Sequence, residues 1–293
     1  MQVRKLKREE HIRTRRLWEE IFTEDTPEFL DYYYSVKTAD NEIYVIEDCG
    51  EIVSMLHLNP YQMRIGEQIH QTHYIVAVAT DERYRKQGLM RQLLNHAMQV
   101  MADRGEPFTF LMPASEAIYK PFGFEFIYTQ GRARLFGKET VKGQGTVNGH
   151  RVTNNSIQVA KATEKDCQEL ADFANNFLKT YDVVTWRTAG YYQTLLAELE
   201  SEHGGILLVR KNGELRGFLC YAKGEEIEIR EPLFYKEEDL RCAIYHLTGS
   251  ETEPVLCIGY GNEERKPMIM AKVLSPELEM NWKNVKVFLN EVV

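Results

Sequence analysis

The sequence predicts a mixed α/β fold made of two tandem domains of related architecture, each a mostly antiparallel twisted sheet flanked by helices. Three observations support this prediction. An apolar strand, Tyr74–Ala79, leads into a basic turn with one glycine, Gly88, and then into an amphipathic helix. The order helix, helix, hairpin, strand, helix occurs twice along the 293 residues. Between the two copies, over residues 137–155, apolar residues are scarce and turn-forming residues dominate.

The elements of the first copy follow from local features. Thr26-Pro27 begins the second helix, because threonine is a good N-cap and proline suits the first helical position. Asp48-Cys49-Gly50 lies between two apolar strands, which predicts a hairpin. Arg104-Gly105 ends the helix that follows Gly88. We predict helices at His11–Phe22, after Thr26 and after Gly88, and strands at Ile43–Ile46, Ile52–Leu58, Tyr74–Ala79, Phe108–Met112 and Phe124–Tyr128.

The second copy has the same order of elements. Thr163–Asp166 resembles a capping box at the start of a helix. Asn212-Gly213 strongly predicts a hairpin because the pair suits a type I′ turn. Further helices are predicted at Tyr191–Leu199 and Asp239–Leu247, and strands at Ile206–Val209, Gly217–Tyr221 and Glu226–Arg230. The predicted organisation is a first domain at 1–140, a linker or exposed hairpin at 141–155, a second domain at 156–266 and a C-terminal strand segment at 267–293.

Composition excludes several classes of function. The net charge of −8 argues against general nucleic-acid binding and is compatible with a cationic substrate. The longest apolar run, around Ile75–Ala79, is far shorter than the roughly 20 residues of a membrane helix. The N-terminus has no apolar signal-peptide region, and the five scattered cysteines have no metal spacing, so we expect a cytoplasmic protein without metal. Three histidines near the key strand also lack metal spacing and are interpreted as structural: His57, His70 and His73.

The strand, loop and helix at residues 74–94 carry the main indication of function. The amino end of a helix has unpaired backbone N–H groups and the positive end of a dipole, which suit a phosphoryl group. Four basic residues between Arg83 and Arg91 surround Gly88. The equivalent segment of the second copy, Glu231–Asp239, has no glycine, and its three adjacent acids would repel a phosphate. We therefore predict one site for a phosphorylated cofactor, in the first domain.

The loop Arg85-Lys86-Gln87-Gly88-Leu89-Met90 resembles motif A of the GNAT acetyltransferases, Arg/Gln-x-x-Gly-x-Gly/Ala after a strand, with methionine in place of the last small residue. The resemblance implies two tandem GNAT-like domains and acetyl-coenzyme A as cosubstrate. Loop N–H groups would hold the pyrophosphate, and the strand edge would pair with the pantetheine arm. The alternative is a basic surface turn before a helix. The implied cofactor-binding residues are Val76, Ala77, Val78, Arg85, Lys86, Gln87, Gly88, Leu89, Met90, Arg91 and Ser115.

The segment Ser115–Phe124 resembles the enhanced-intracellular-survival (Eis-like) branch of that superfamily. Those proteins have two fused GNAT-like domains, the second without a working cofactor site, and a third domain resembling a sterol carrier. The resemblance extends to about residue 270, so we expect this chain to lack the third domain. It also implies that Tyr119 is a general acid, protonated at neutral pH because an unperturbed tyrosine has a pKa of about 10. The alternative is a core aromatic residue, one of 16 tyrosines.

The resemblance also points to residues around the acceptor. In the Eis-like branch the terminal carboxylate lies near the acetyl site, so Val293 is a candidate base; the alternative is that the apolar run 285–293 only completes a sheet. Glu24 and Asp25 lie before the second helix, where GNAT enzymes often build the acceptor wall. Their alternative role is favourable interaction with the helix dipole.

The predicted function is transfer of an acetyl group from acetyl-coenzyme A to a primary amine of an unidentified small molecule or peptide. The negative net charge is compatible with a cationic acceptor; the alternative is that the charge only keeps the protein soluble. Catalysis is assigned to the first domain, and the second domain would shape the acceptor cleft. The alternative function is a non-catalytic acyl-coenzyme A-binding sensor or scaffold. A further alternative is self-association through the second domain into a homo-oligomer. No nucleic acid, membrane or metal is expected as a partner.

Overall fold

The computed structural model describes residues 2–139, 145–147, 150–152, 157–276, 278 and 280–290. The helices are α1 (Arg15–Ile21), α2 (Pro27–Ser35), α3 (Leu89–Asp103), α4 (Glu116–Tyr119), α5 (Cys167–Phe177), α6 (Ala189–Ser201) and α7 (Glu237–Thr248). The strands are β1 (Val3–Lys5), β2 (Glu42–Asp48), β3 (Glu51–Ile65), β4 (Gln68–Thr80), β5 (Phe108–Leu111), β6 (Glu125–Phe136), β7 (Gly145–Val147), β8 (His150–Val152), β9 (Ile157–Lys161), β10 (Val183–Thr185), β11 (Gly205–Lys211), β12 (Glu214–Lys223), β13 (Ile227–Phe234), β14 (Pro254–Ile258), β15 (Glu264–Val273) and β16 (Val287–Phe288). Short 3₁₀ turns occur at Arg8–Thr14, Lys37–Ala39, Glu82–Tyr84, Lys120–Phe122, Glu164–Asp166, Leu178–Thr180 and Trp282–Asn284.

The chain divides into two compact units. Unit 1 contains Met1–Thr129, Leu178–Trp186 and Pro267–Val293. Unit 2 contains Gln130–Phe177 and Arg187–Lys266. Each unit is a mixed, mostly antiparallel sheet with helices, so the predicted fold class is confirmed.

Unit 1 is built on the strand order β1, β2, β3, β4, β5, β15. Along this order the pairs are antiparallel except for β4 and β5, which are parallel and are joined through α3. The short strands β10 and β16 of unit 1 also pair in parallel. The apolar stripe predicted for the helix after Gly88 is the buried face of α3, since Leu93, Leu94, Ala97 and Met101 are all fully buried. This face attaches the helix to the sheet and so positions the loop that precedes it.

Unit 2 has a comparable strand order, with β11, β12 and β13 antiparallel and β14 parallel to β13 after the helix α7. The carboxyl half of β6 completes one edge and β9 the other. The turn between β11 and β12 has positive φ at both Asn212 (55°) and Gly213 (83°), which is the type I′ geometry that the sequence predicts. The hydrophobic core of unit 2 includes Leu219, Ile229 and Ile244.

Several boundaries differ from the sequence-based prediction. The first predicted helix is a 3₁₀ segment followed by α1, and β4 begins at Gln68, directly after the turn at Gly66. The C-terminal run forms only a two-residue strand, β16, which pairs with β10, and residues 291–293 lie outside the described residues. Part of the predicted linker is also undescribed, and its described strands β7 and β8 pair with each other.

Candidate active site

A bulge in β4 separates the strand from β5 at the point where the cofactor was predicted. His57 of β3 lies opposite Val76, but Met55 lies opposite Ala79, so β4 contains one extra residue. Ala77 lies at this bulge and has a positive φ of 51°, which is a strained backbone conformation for alanine. Among the described residues, β4 and β5 pair only at Tyr74. The carboxyl half of β4 therefore leaves its parallel neighbour and can accept an extended ligand along that edge.

The loop after β4 exposes backbone donors at the start of α3. Gly88 is the N-cap with φ of 78°, and Lys86 also has a positive φ of 62°. The first hydrogen bond of the helix runs from Gln92 N–H to the Gly88 carbonyl, at 3.1 Å. The N–H groups of residues 89–91 consequently lie outside the helical ladder. A Cβ atom built on Gly88 meets nothing within 4 Å, so the space above the loop is open.

The basic side chains of this loop differ in their partners. Arg83 is occupied by Asp81, whose carboxylate accepts from Nε at 3.1 Å and from Nη2 at 2.8 Å. These hydrogen bonds lower the pKa of Asp81 to about 2. Arg85 and Lys86 are exposed and form no ion pair within the described part of the chain. Arg91 places its guanidinium 5.2 Å from the centre of the Phe122 ring, so the first turn of α3 contacts the segment after α4.

Tyr119 lies at the end of α4, in the segment that Arg91 reaches. Its ring is 7% exposed and meets Phe124 edge to face with centroids 6.0 Å apart. No described residue forms a hydrogen bond with its hydroxyl, and burial raises the pKa of Tyr119 to about 12. The phenol is therefore a protonated donor with unused capacity at neutral pH. Ser115 is the exposed N-cap residue of α4, without a side-chain capping bond.

The two predicted acceptor acids have different environments. Glu24 is exposed. The Asp25 carboxylate is partly buried and accepts a hydrogen bond from Trp18 Nε1 at 2.7 Å. Trp18 in turn packs against Tyr33, with centroids 4.5 Å apart, and against Phe22 at 5.6 Å. The indole therefore fixes the direction of one carboxylate beside an aromatic cluster.

Sequence reasoning missed a buried polar network behind β4. The Tyr33 hydroxyl donates to Asn59 Oδ1 at 3.1 Å and receives a hydrogen bond from Asn41 Nδ2 at 3.2 Å. His57 Nδ1 lies 3.2 Å from the same hydroxyl, and His57 is the cross-strand neighbour of Val76. Burial lowers the pKa of His57 to about 3, which makes it a poor acceptor for an amine proton. Tyr33 lies on α2 and Asn41 just before β2, whereas His57 and Asn59 lie on β3. These elements are far apart in sequence, so only the packing of the folded unit brings the four side chains together.

The buried His57 gives the protein a measurable sensitivity to acid. Because its folded-state pKa is depressed below the usual 6.5, its contribution to stability is present above pH 6.5 and is lost as the pH falls. Between pH 6.5 and 5 the loss is about 2 kcal/mol. Urea unfolding at both pH values is expected to show this difference in the wild type and a smaller one in His57→Gln. The exposed His246→Gln is the control, and equal pH dependence in all three proteins would contradict the assignment.

Three further sequence-based predictions concern the base, bound metals and membrane-spanning helices. Val293 lies outside the described residues, so its role as a base stays a prediction. No group of three potential metal-ligating side chains is found where the structure is described. None of the described helices is long and apolar enough to cross a membrane.

Comparison with known proteins relates this geometry to a family. Residues 2–127 match the acetyltransferase (GNAT) domain, which supports an acyltransferase. No curated protein sequence matches the chain significantly. The fold is similar to a probable N-acyltransferase from Enterococcus faecalis V583, with a TM-score of 0.74 and 16% identity over 93% of this chain and 72% of the other. A GCN5-related N-acetyltransferase from Kribbella flavida gives a TM-score of 0.69 and 16% identity over 92% and 71%. Eis1 from Mycobacterium abscessus gives a TM-score of 0.64 and 12% identity over 94% of this chain and 75% of the other, so its fold is also similar.

Proposed function

We propose that this chain, which contains an acetyltransferase (GNAT) domain at residues 2–127, transfers an acetyl group from acetyl-coenzyme A to a primary amine. The observation that carries the proposal is the continuity of a bulged strand edge with a glycine-capped helix. The edge ends at Thr80 and the helix begins after Gly88, both in unit 1. Such a path offers hydrogen bonds first to an extended arm and then to a diphosphate.

The cofactor is proposed to lie along this path. The edge at Val76–Val78 would bind the pantetheine amides, and the N–H groups of the Gly88 loop would bind the pyrophosphate. Arg85 and Lys86 supply positive charge that no described carboxylate neutralises. Met90 is partly buried at the start of α3. Its backbone N–H, which lies outside the helical ladder, is the part we assign to the cofactor.

The chemistry requires an electrophile, a proton donor and a proton acceptor. The neutral amine attacks the thioester carbonyl, the carbon–sulfur bond breaks, and the thiolate of coenzyme A leaves with the electron pair. The attacking nitrogen loses one proton as the amide forms, and the terminal carboxylate of Val293 is the proposed acceptor of that proton. Tyr119 is proposed to donate its hydroxyl hydrogen to the developing thiolate. Three residues after Tyr119, the Phe122 ring contacts the Arg91 guanidinium, which links this segment to the first turn of α3. Asp25, oriented by Trp18, is proposed to attract a cationic acceptor.

Unit 2 is proposed to be a degenerate GNAT-like domain without a cofactor site. It has its own bulge at Glu231, where φ is 47° and the register between β12 and β13 shifts. However, β13 ends at Phe234 and α7 begins at Glu237, so the connecting turn has no room for a loop like Asp81–Gly88. The first turn of α7 is acidic, which disfavours a phosphate there. We therefore propose a cofactor site in unit 1 and none in the described residues of unit 2.

Release of free coenzyme A in the presence of amines tests the proposed reaction. The full chain is incubated with acetyl-coenzyme A and a panel of polyamines, amino sugars and lysine peptides, and thiol release and acetylated product are measured. Turnover with at least one amine is expected. Calorimetric binding of acetyl-coenzyme A without turnover on the panel would favour the alternative function, a non-catalytic sensor or scaffold.

Replacement of the loop glycine tests the cofactor site separately from the reaction. Gly88→Ala is expected to weaken acetyl-coenzyme A binding about tenfold, or about 1.4 kcal/mol, because a methyl group would occupy the space where a phosphate meets the backbone. Gly50→Ala is the matched control, since Gly50 also has a positive φ (85°) and open space around its Cβ position. Both variants should lose about 1 kcal/mol of stability. Equal cofactor affinity of the two variants would exclude Gly88 from the site.

A further inference from the structure

A polar pocket lies at the carboxyl end of α3, at the opposite end of this helix from the Gly88 loop. Its volume is about 320 Å³, and it is lined by residues 70, 71 and 73 of β4 and by residues 104–107 after the helix. Helix α3 has 15 residues, so a rise of 1.5 Å per residue separates this end from the Gly88 loop by about 22 Å. The pocket is therefore distinct from the candidate active site, although one helix connects the two.

The pocket contains a buried histidine–carboxylate pair. His73 is 7% exposed and Glu106 is 4% exposed. Both carboxylate oxygens approach His73 Nδ1, at 2.8 and 2.9 Å. Glu106 therefore accepts a hydrogen bond from Nδ1–H and orients the ring, which leaves Nε2 as the ring nitrogen that a ligand can contact. No described residue forms a hydrogen bond with Nε2.

Arg104 supplies a positive group at the more exposed side of the same pocket. Its side chain is 39% exposed, and Nη2 donates to both oxygens of Glu42 at 3.0 Å. Its Nη1 lies 4.0 Å from Glu106 and forms no hydrogen bond within the described part of the chain. The guanidinium thus keeps donors for a further oxygen ligand.

The end of α3 adds a negative field inside the pocket. The last carbonyl groups of a helix carry the negative end of its dipole, which favours a cation. Glu106 adds a carboxylate at that end, and Arg104 adds a cation a few ångströms away. The pocket consequently presents one acceptor region and one donor region side by side. A simple anion would be repelled by Glu106, and a simple cation would be repelled by Arg104.

We propose that this pocket binds a small zwitterion of the α-amino acid type. The ammonium group donates to His73 Nε2, and the carboxylate accepts from Arg104 Nη1. A volume of about 320 Å³ is sufficient for a free amino acid. Neither His73 nor Arg104 takes part in the proposed acetyl transfer, so amino-acid binding here does not depend on that function.

Calorimetry on the full chain with individual L-amino acids tests the proposal. At least one amino acid is expected to bind, and its amide and its decarboxylated amine are expected to bind at least tenfold more weakly. Failure of all amino acids to bind at millimolar concentration, or equal affinity for the three forms, would overturn the proposal.

Variants locate the bound amino acid. Arg104→Met is expected to lower the affinity at least tenfold, whereas Arg134→Met in unit 2 should leave it unchanged. Glu106→Gln keeps an oxygen that can accept from His73 Nδ1 but removes the charge, so it should also weaken binding without loss of the fold, as checked by circular dichroism. An amino acid bound as an acetyl acceptor near Asp25 would be insensitive to both substitutions, and that result would reject this pocket.

Discussion

Tyr119→Phe is expected to lower the turnover of acetyl transfer by about a hundredfold or more, with the affinity for acetyl-coenzyme A nearly unchanged. Removing one hydrogen-bond donor to the charge that develops in a transition state typically costs about 10²–10³ in kcat. The substitution removes one oxygen and keeps the ring that packs against Phe124 at 6.0 Å. Since the hydroxyl has no partner among the described residues, its loss leaves no buried group unpaired, and stability should change little.

The physical basis is the protonation state of the phenol. Burial raises the pKa of Tyr119 to about 12, so the group stays protonated at every pH at which the protein would be assayed. A thiolate is a weaker base than such a phenolate, so the main contribution is a hydrogen bond to the leaving sulfur while the carbon–sulfur bond breaks. If the activity falls as the pH is raised toward 10, we therefore expect that loss to come from the titration of groups other than Tyr119.

Steady-state kinetics with an amine found in the thiol-release panel measure the effect. Calorimetric titration with coenzyme A checks that the cofactor site is intact. Tyr44→Phe is the control, because Tyr44 is another buried tyrosine of unit 1 whose hydroxyl donates to Glu42 at 2.8 Å, away from the loop. A Tyr119→Phe variant with the turnover of the Tyr44→Phe control would remove Tyr119 from the mechanism.

Local sequence features were sufficient to predict the strand β4, the turn at Gly88 and the helix α3. Gly88 stands where the chain needs a positive φ before a helix, and glycine is the residue that takes this conformation without strain. The basic residues around it and the apolar stripe of α3 are also local. The hairpin turn at Asn212-Gly213 was predictable for the same reason, since two residues determine its type.

The bulge at Ala77 was not predictable from the strand itself. Residues 75–79 are a uniform apolar run, and alanine is not a residue that favours a positive φ. The bulge arises from the register of β4 on β3, which is a property of the assembled sheet. The same holds for Trp18 and Asp25, whose hydrogen bond depends on how α1 meets the turn before α2.

A buried ion pair in unit 2 is expected to produce the largest change in stability. Arg187 is 2% exposed and Glu231 is 4% exposed, and Arg187 Nη2 lies 2.5 Å from Glu231 Oε1. The guanidinium also lies 4.3 Å from the centre of the Tyr191 ring. The Asn175 side chain holds the Arg187 backbone through hydrogen bonds of 3.0 and 2.8 Å. Glu231 occupies the bulge of β13, so the pair fills the interior where the two parallel strands separate.

Removing one partner of this pair should cost far more than removing both. Glu231→Met leaves the Arg187 cation buried, and a loss of about 3–5 kcal/mol is expected. The double variant Arg187→Met/Glu231→Met removes both charges of the pair and keeps side chains of similar length, so most of the loss should be recovered. The positive φ at residue 231 strains methionine as it strains glutamate, which leaves the charge as the main difference.

The measurement has to follow unit 2 alone. All three tryptophans, Trp18, Trp186 and Trp282, are in unit 1, so their fluorescence reports that unit and serves as the internal control. Hydrogen exchange of β12 and β13 reports unit 2. A double-mutant cycle with Arg187→Met completes the comparison. Additive losses in the double variant would mean that the two side chains stabilise unit 2 by packing, and the buried-charge explanation would then be wrong.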